Sequence, residues 1–101
     1  MISLSLYQGQ TESVTFYSDV LDLHQYEFRS SIGKQNTAIA NMTFTKLPDN
    51  QVEMKLTGSE SAKLSVGDYI GEIFTISNGE ALHFEDLKVT IKNPITDIQI
   101  W

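Results

Sequence analysis

Apolar residues recur at every second position in short sets: Ile2, Leu4 and Leu6, then Val14 and Phe16, Tyr26 and Phe28, Met42 and Phe44, and Val52, Met54 and Leu56. A period of two is the pattern of a strand with one face buried and the other wet. Breaks rich in turn formers separate the sets, at Gln8-Gly9-Gln10, Ser18-Asp19, Ile32-Gly33-Lys34, Leu47-Pro48-Asp49-Asn50 and Thr57-Gly58-Ser59. Strands and breaks spaced so regularly predict an all-β chain of antiparallel hairpins that closes as a sandwich or barrel.

Two hairpins stand out. Pro48-Asp49-Asn50 joins a strand over 40–46 to one over 51–57, because Pro presets the first turn φ and Asp and Asn tolerate the rest. Asn78-Gly79 joins a strand over 68–76 to one over 81–92. The first of these carries apolar groups on both parities (Tyr69 and Ile73 against Ile70, Phe74 and Ile76), which predicts a central strand covered on both faces, with Gly71 at a bulge or close approach. In the second, parity slips between Leu82/Phe84 and Leu87/Val89/Ile91, placing a bulge at Glu85-Asp86. Between the hairpins, residues 59–64 fit one short helical turn with Ser59 as its cap and Leu64 pointing inward.

With 101 residues, 41% of them hydrophobic, the chain has the size and apolar content of one domain. Zero cysteines exclude disulfides, thiolate metal sites and cysteine nucleophiles, so packing and strand pairing must hold the fold. No apolar run approaches the ~18 residues of a membrane helix, and Met1-Ile2-Ser3-Leu4-Ser5-Leu6 lacks the basic start of a signal peptide, so the expected product is soluble and made in the cytosol. A net charge of −6 with dispersed basic residues argues against nucleic acid and against anionic membranes as partners.

Catalytic chemistry finds little support. His24 and His83 both fall within strands; a metal site would need both with a carboxylate such as Asp19, Asp22 or Asp86, and no pair shows a recognised ligand spacing such as two His four apart on a helix. The carboxylate pairs Asp19/Asp22 and Glu85/Asp86 sit in turn-like settings, and neither a nucleophile elbow nor a phosphate-binding glycine loop occurs. The expectation is therefore a non-enzyme with no catalytic, cofactor or metal residues. Most aromatics follow the inward parity, whereas Tyr7, Tyr17 and Trp101 fall off or beyond it and are candidates for an exposed contact patch. Residues 94–101 form an apolar tail beyond a sandwich spanning 1–93, either a last strand or an arm that pairs with another subunit through Ile95, Ile98, Ile100 and Trp101.

The stretch from Leu56 to Ile73, with its short turn, Leu64, Gly67 and the Asp68-Tyr69 strand start, resembles a segment of the small Ig-like domains of tailed-phage virion proteins, such as the N-terminal domain of baseplate upper proteins. Leu6-Tyr7-Gln8-Gly9-Gln10-Thr11 is similar to their first strand and turn, with Gln10 where Asp is usual, and Leu87-Lys88-Val89-Thr90-Ile91 with Pro94-Ile95-Thr96 is similar to their last strand and exit. Such domains usually head a longer protein, whereas this sequence ends just after the sandwich. The resemblance implies an antiparallel Ig-like sandwich of about seven to eight strands. It also implies a structural or adaptor protein of a tail, neck, fibre or head-decoration complex, assembled in the host cytoplasm and docking on other virion proteins and on copies of itself. The alternative is a carbohydrate- or ligand-binding module in which Tyr7, Tyr17 or Trp101 stacks on a sugar ring.

Overall fold

Side-chain alternation sets which side of each strand is dry. The computed structural model describes residues 1–34 and 37–92. In chain order it contains β1 (Ile2–Tyr7), β2 (Glu12–Tyr17), a 3-10 turn (Leu23–Gln25), β3 (Glu27–Lys34), β4 (Thr37–Asn41), β5 (Thr43–Leu47), β6 (Gln51–Leu56), a one-turn helix α1 (Gly58–Ser61), β7 (Gly67–Ser77) and β8 (Glu80–Lys92). The strands form a five-stranded sheet ordered β1-β8-β7-β3-β4 and a three-stranded sheet ordered β2-β6-β5. The expected all-β sandwich of seven to eight strands is thus built with eight. Every pair is antiparallel except β1 with β8, which run parallel from Ile2 opposite Leu87 to Tyr7 opposite Lys92.

The core lies between the two sheets. Leu4 and Leu6 of β1, Ile32 of β3, Val52, Met54 and Leu56 of β6, Tyr69 and Ile73 of β7, and Leu87, Val89 and Ile91 of β8 are all buried, each on the inward parity of its strand. At one end Phe28 anchors an aromatic group, stacked on Phe44 (5.6 Å between centroids) and edge-on to Phe84 (5.4 Å), with Phe16 alongside. Ring pairs in these geometries add to the gain from burial alone.

Both foreseen turns form, but the strand expected over 40–46 is split at Met42: Ala40 and Asn41 end β4 in the larger sheet, and only Thr43–Leu47, as β5, pairs with β6. Leu47 pairs with Gln51 across a loop in which Asp49 and Asn50 take φ of 64° and 56°, the left-handed region that these two residue types tolerate. Asn78 and Gly79, at φ 52° and 79°, make a two-residue turn whose twist matches its strands. Asn50 also staples the irregular segment after β2: its Oδ1 accepts from the Leu23 N–H (2.7 Å), and its Nδ2 donates to the carbonyls of Ser18 (2.8 Å) and Leu21 (2.7 Å). Leu23 is buried as a result.

Several expectations change. The cap of α1 is Thr57, whose Oγ1 accepts from the Glu60 N–H, rather than Ser59; Leu64 is fully buried as expected. Glu60 accepts from Lys63 Nζ (2.6 Å) and from the Asn41 N–H (2.8 Å), and these bonds, Lys63 first, hold its carboxyl below the usual range. Ile32-Gly33-Lys34 is no break: it completes β3, with a bulge between Ile32 and Gly33 that accommodates β4. β7 is central but covered on one face only, since Ile70 on the outer face is 74% exposed. The β8 bulge comes one residue earlier than expected. Ile73 pairs with Glu85 and Phe74 with His83, so Phe84 is the extra residue. Residues 80–83 are exposed on both parities, so Leu82 does not reach the core. The tail 94–101 lies outside the described residues.

Gly71 is a close-approach site, as expected: a Cβ there would collide with the Ser31 carbonyl oxygen and the Ile32 Cγ2 on β3. Gly71→Ala is expected to destabilise by about 2 kcal/mol through overpacking, read as a lower denaturant midpoint with an unchanged slope. Asn50→Ala removes three loop bonds and a tolerated left-handed residue. We expect a loss of about 2 kcal/mol, lowering Tm by roughly 10 °C in a scanning calorimeter.

Candidate functional site

The outer face of the five-stranded sheet carries the densest chemistry of the described residues. By alternation Ile70, Glu72 and Phe74 of β7 point outward, away from Tyr69, Ile73 and Thr75. Glu72 stands directly opposite Asp86 of β8, and Phe74 opposite His83. The Phe84 bulge re-aims the strand here. In an unbroken strand counted back from the outward Asp86, residue 84 would face out and residue 83 in; the extra residue turns Phe84 toward Phe16 and Phe28 and His83 outward. His83 Nδ1 then lies 2.9 Å from Glu72 Oε2, its Nε2 lies 3.4 Å from Asp86 Oδ1, and its ring stands edge-on to Phe74.

Beside this cluster runs a shallow open groove of about 770 Å³, lined by Ile70, Phe74, Gly33, Ala38, Glu72 and Asp86 among others. Gly33 and Ala38 face each other across β3 and β4 and leave its floor low.

The residues singled out in the sequence are dispersed over the molecule. Tyr7 ends β1 on the outer face of the five-stranded sheet, under Lys92 Nζ at 4.5 Å from its ring centroid. Tyr17 ends β2 on the outer face of the three-stranded sheet and is 68% exposed. The two rings therefore face opposite ways and form no shared stacking platform. Ile95, Ile98, Ile100 and Trp101 lie outside the described residues. His24 is structural: its Nε2 is 2.7 Å from the Leu47 carbonyl oxygen and 3.3 Å from that of Gln51, tying the 3-10 turn to the β5–β6 hairpin. It sits in that turn and not in a strand. Asp22 caps the same turn by accepting from the His24 N–H.

Glu85 and Asp86 do not work as a pair, because alternation sends them to opposite faces of β8. Glu85 accepts from the Asp86 N–H (2.9 Å) and lies 3.3 Å from the Met1 ammonium, and these contacts, the backbone bond first, hold its carboxyl below the usual range. Glu72 drew no attention in the sequence; its eleven-residue separation from His83 has no ligand spacing, and only the strand register brings them together.

No known protein family matches the chain, and no curated protein does. Among solved structures it is similar to the NK cell receptor Nkp44, described as a triggering partner in natural cytotoxicity. The match has 15% identity and a TM-score of 0.46, covering 90% of this chain and 97% of that one. A likeness of this size carries no functional information.

A carboxyl whose pKa is lowered by folding adds stability above its unfolded value of about 4.3 and loses it as pH falls through the lower folded value. Glu85→Gln is therefore expected to lower Tm slightly at pH 7, with the gap to wild type closing below about pH 4 in a thermal melt series.

Proposed function

We propose that the chain is a non-enzymatic structural or adaptor protein of a phage virion, acting through protein–protein docking on other virion proteins and on copies of itself. The observation that carries the docking part is the outer face of the five-stranded sheet, where exposed Ile70 borders an open apolar groove with no element of the described chain packed over it. Ile70, Phe74 and Ala38 line the same groove, and a contiguous exposed apolar surface, rather than a single residue, is what a partner covers. Strand edges add to it, since among the described residues β1 and β4 end one sheet and β2 and β5 the other, and edge strands present backbone groups for strand addition. Val20 and Leu21, exposed beyond β2, supply a second apolar point. The virion assignment itself is supported by the resemblance of the Leu56–Ile73 and Leu6–Thr11 segments and of Leu87–Ile91 followed by Pro94-Ile95-Thr96.

Every buried side-chain nitrogen and oxygen among the described residues has a hydrogen-bond partner.

Light scattering coupled to size exclusion tests the reading. The wild-type chain is expected to associate, and Ile70→Asp to weaken association roughly tenfold or more while Tm moves by only a degree or two, as for an exposed substitution. Deleting residues 94–101 and following both melting and association separates a docking arm, which costs association alone, from a last strand, which costs stability. A monomer at every concentration that also fails to bind purified virion proteins would overturn the proposal.

A further inference from the structure

We infer that Glu72, His83 and Asp86 form a surface site for a borderline divalent transition-metal ion of the Zn²⁺ class. One ligand atom from each of the three lies within 4.8 Å of the other two. The arrangement is set by strand register and by the bulge, so it does not depend on a mobile loop.

Three physical points favour a cation here. Glu72 and Asp86 stand directly opposite on neighbouring strands, a placement in which like charges repel. Among the described residues neither carboxylate has an ion pair with Lys, Arg or the amino terminus; their one basic contact is His83. The imidazole in its neutral form has one N–H and one lone pair, so it donates to one carboxylate and turns its lone pair toward the oxygens of the other. A proton would supply the missing positive charge to the ring alone. A metal ion would take one nitrogen lone pair and an oxygen from each carboxylate, once the ring, whose two nitrogens now face different carboxylates, turns one nitrogen toward both.

The donor set selects the ion. One imidazole nitrogen with two carboxylates suits Zn²⁺ and its neighbours, whereas Ca²⁺ and Mg²⁺ need six or more oxygens, several of them here from water. Bonds of about 2.1 Å put tetrahedral ligand atoms about 3.4 Å apart, so from a spread of up to 4.8 Å the side chains must close by up to about 1.4 Å. The side chains have that freedom, at 52% exposure for Glu72, 47% for His83 and 64% for Asp86. Three protein ligands leave a fourth position for water.

Isothermal titration of the full chain with ZnCl₂ in a non-coordinating buffer at pH 7.5 tests the inference. The expected result is one ion per chain with Kd in the micromolar range, weakened at least about tenfold by His83→Ala and by Glu72→Gln. His24→Gln should bind as wild type, and millimolar Mg²⁺ should not compete. Circular dichroism of each variant confirms that loss of binding is not loss of fold, and histidine ring NMR signals should move for His83 and not His24. Absence of uptake up to about 1 mM Zn²⁺, or binding that survives His83→Ala, overturns the inference.

Discussion

Everything in this chain depends on two sheets hiding one face each against the other. With no cysteine and no described helix longer than one turn, burial of alternating apolar side chains is the one large favourable term. The three fully buried residues of β6, Val52, Met54 and Leu56, show how much is concentrated there. β6 is the middle strand of the smaller sheet, and its inward row meets the rows of β1, β7 and β8 from the larger one. Register is therefore stringent, because a slip of one residue in β6 would carry the whole row to solvent.

The same constraint explains the local irregularities. Gly71 lets β7 and β3 approach closely where any side chain would hit the Ser31 carbonyl. The bulge at Phe84 lets the outer end of β8 change faces, so that one aromatic joins Phe16 and Phe28 while the next residue back joins the polar outer surface. A single inserted residue thus serves both the core and the charged cluster on the opposite face.

Strand positions were legible in the sequence wherever apolar residues alternated between clear turns, as in β1, β6 and the β5–β6 and β7–β8 hairpins. They were obscured where a glycine or a weak pattern interrupted a strand. Gly33 reads as a turn residue but sits in β3, since bulged pairing with β4 takes up its freedom. β4 itself, Thr-Ala-Ile-Ala-Asn, buries only Ala40 and leaves no alternating trace. The apolar outer face of β7 suggested a second covering layer that the described chain does not supply. Of the Glu72–His83–Asp86 cluster, the sequence offers His83 and Asp86 as candidates and places the bulge within one residue, but Glu72 joins them only through cross-strand register, which spacing along one strand does not encode.

The parallel ladder between β1 and β8 has a mechanical consequence. The chain enters β1 at the end where Ile2 meets Leu87 and leaves β8 at the far end, where Tyr7 meets Lys92. Tension applied between the entry to β1 and the exit from β8 would slide the two strands along each other and load the rungs of the ladder together rather than peel them one after another. Rupture would then require many hydrogen bonds and the packed Leu4, Leu6, Val89 and Ile91 rows to yield at once, which makes the line of the β1–β8 ladder the direction in which this domain resists stretching.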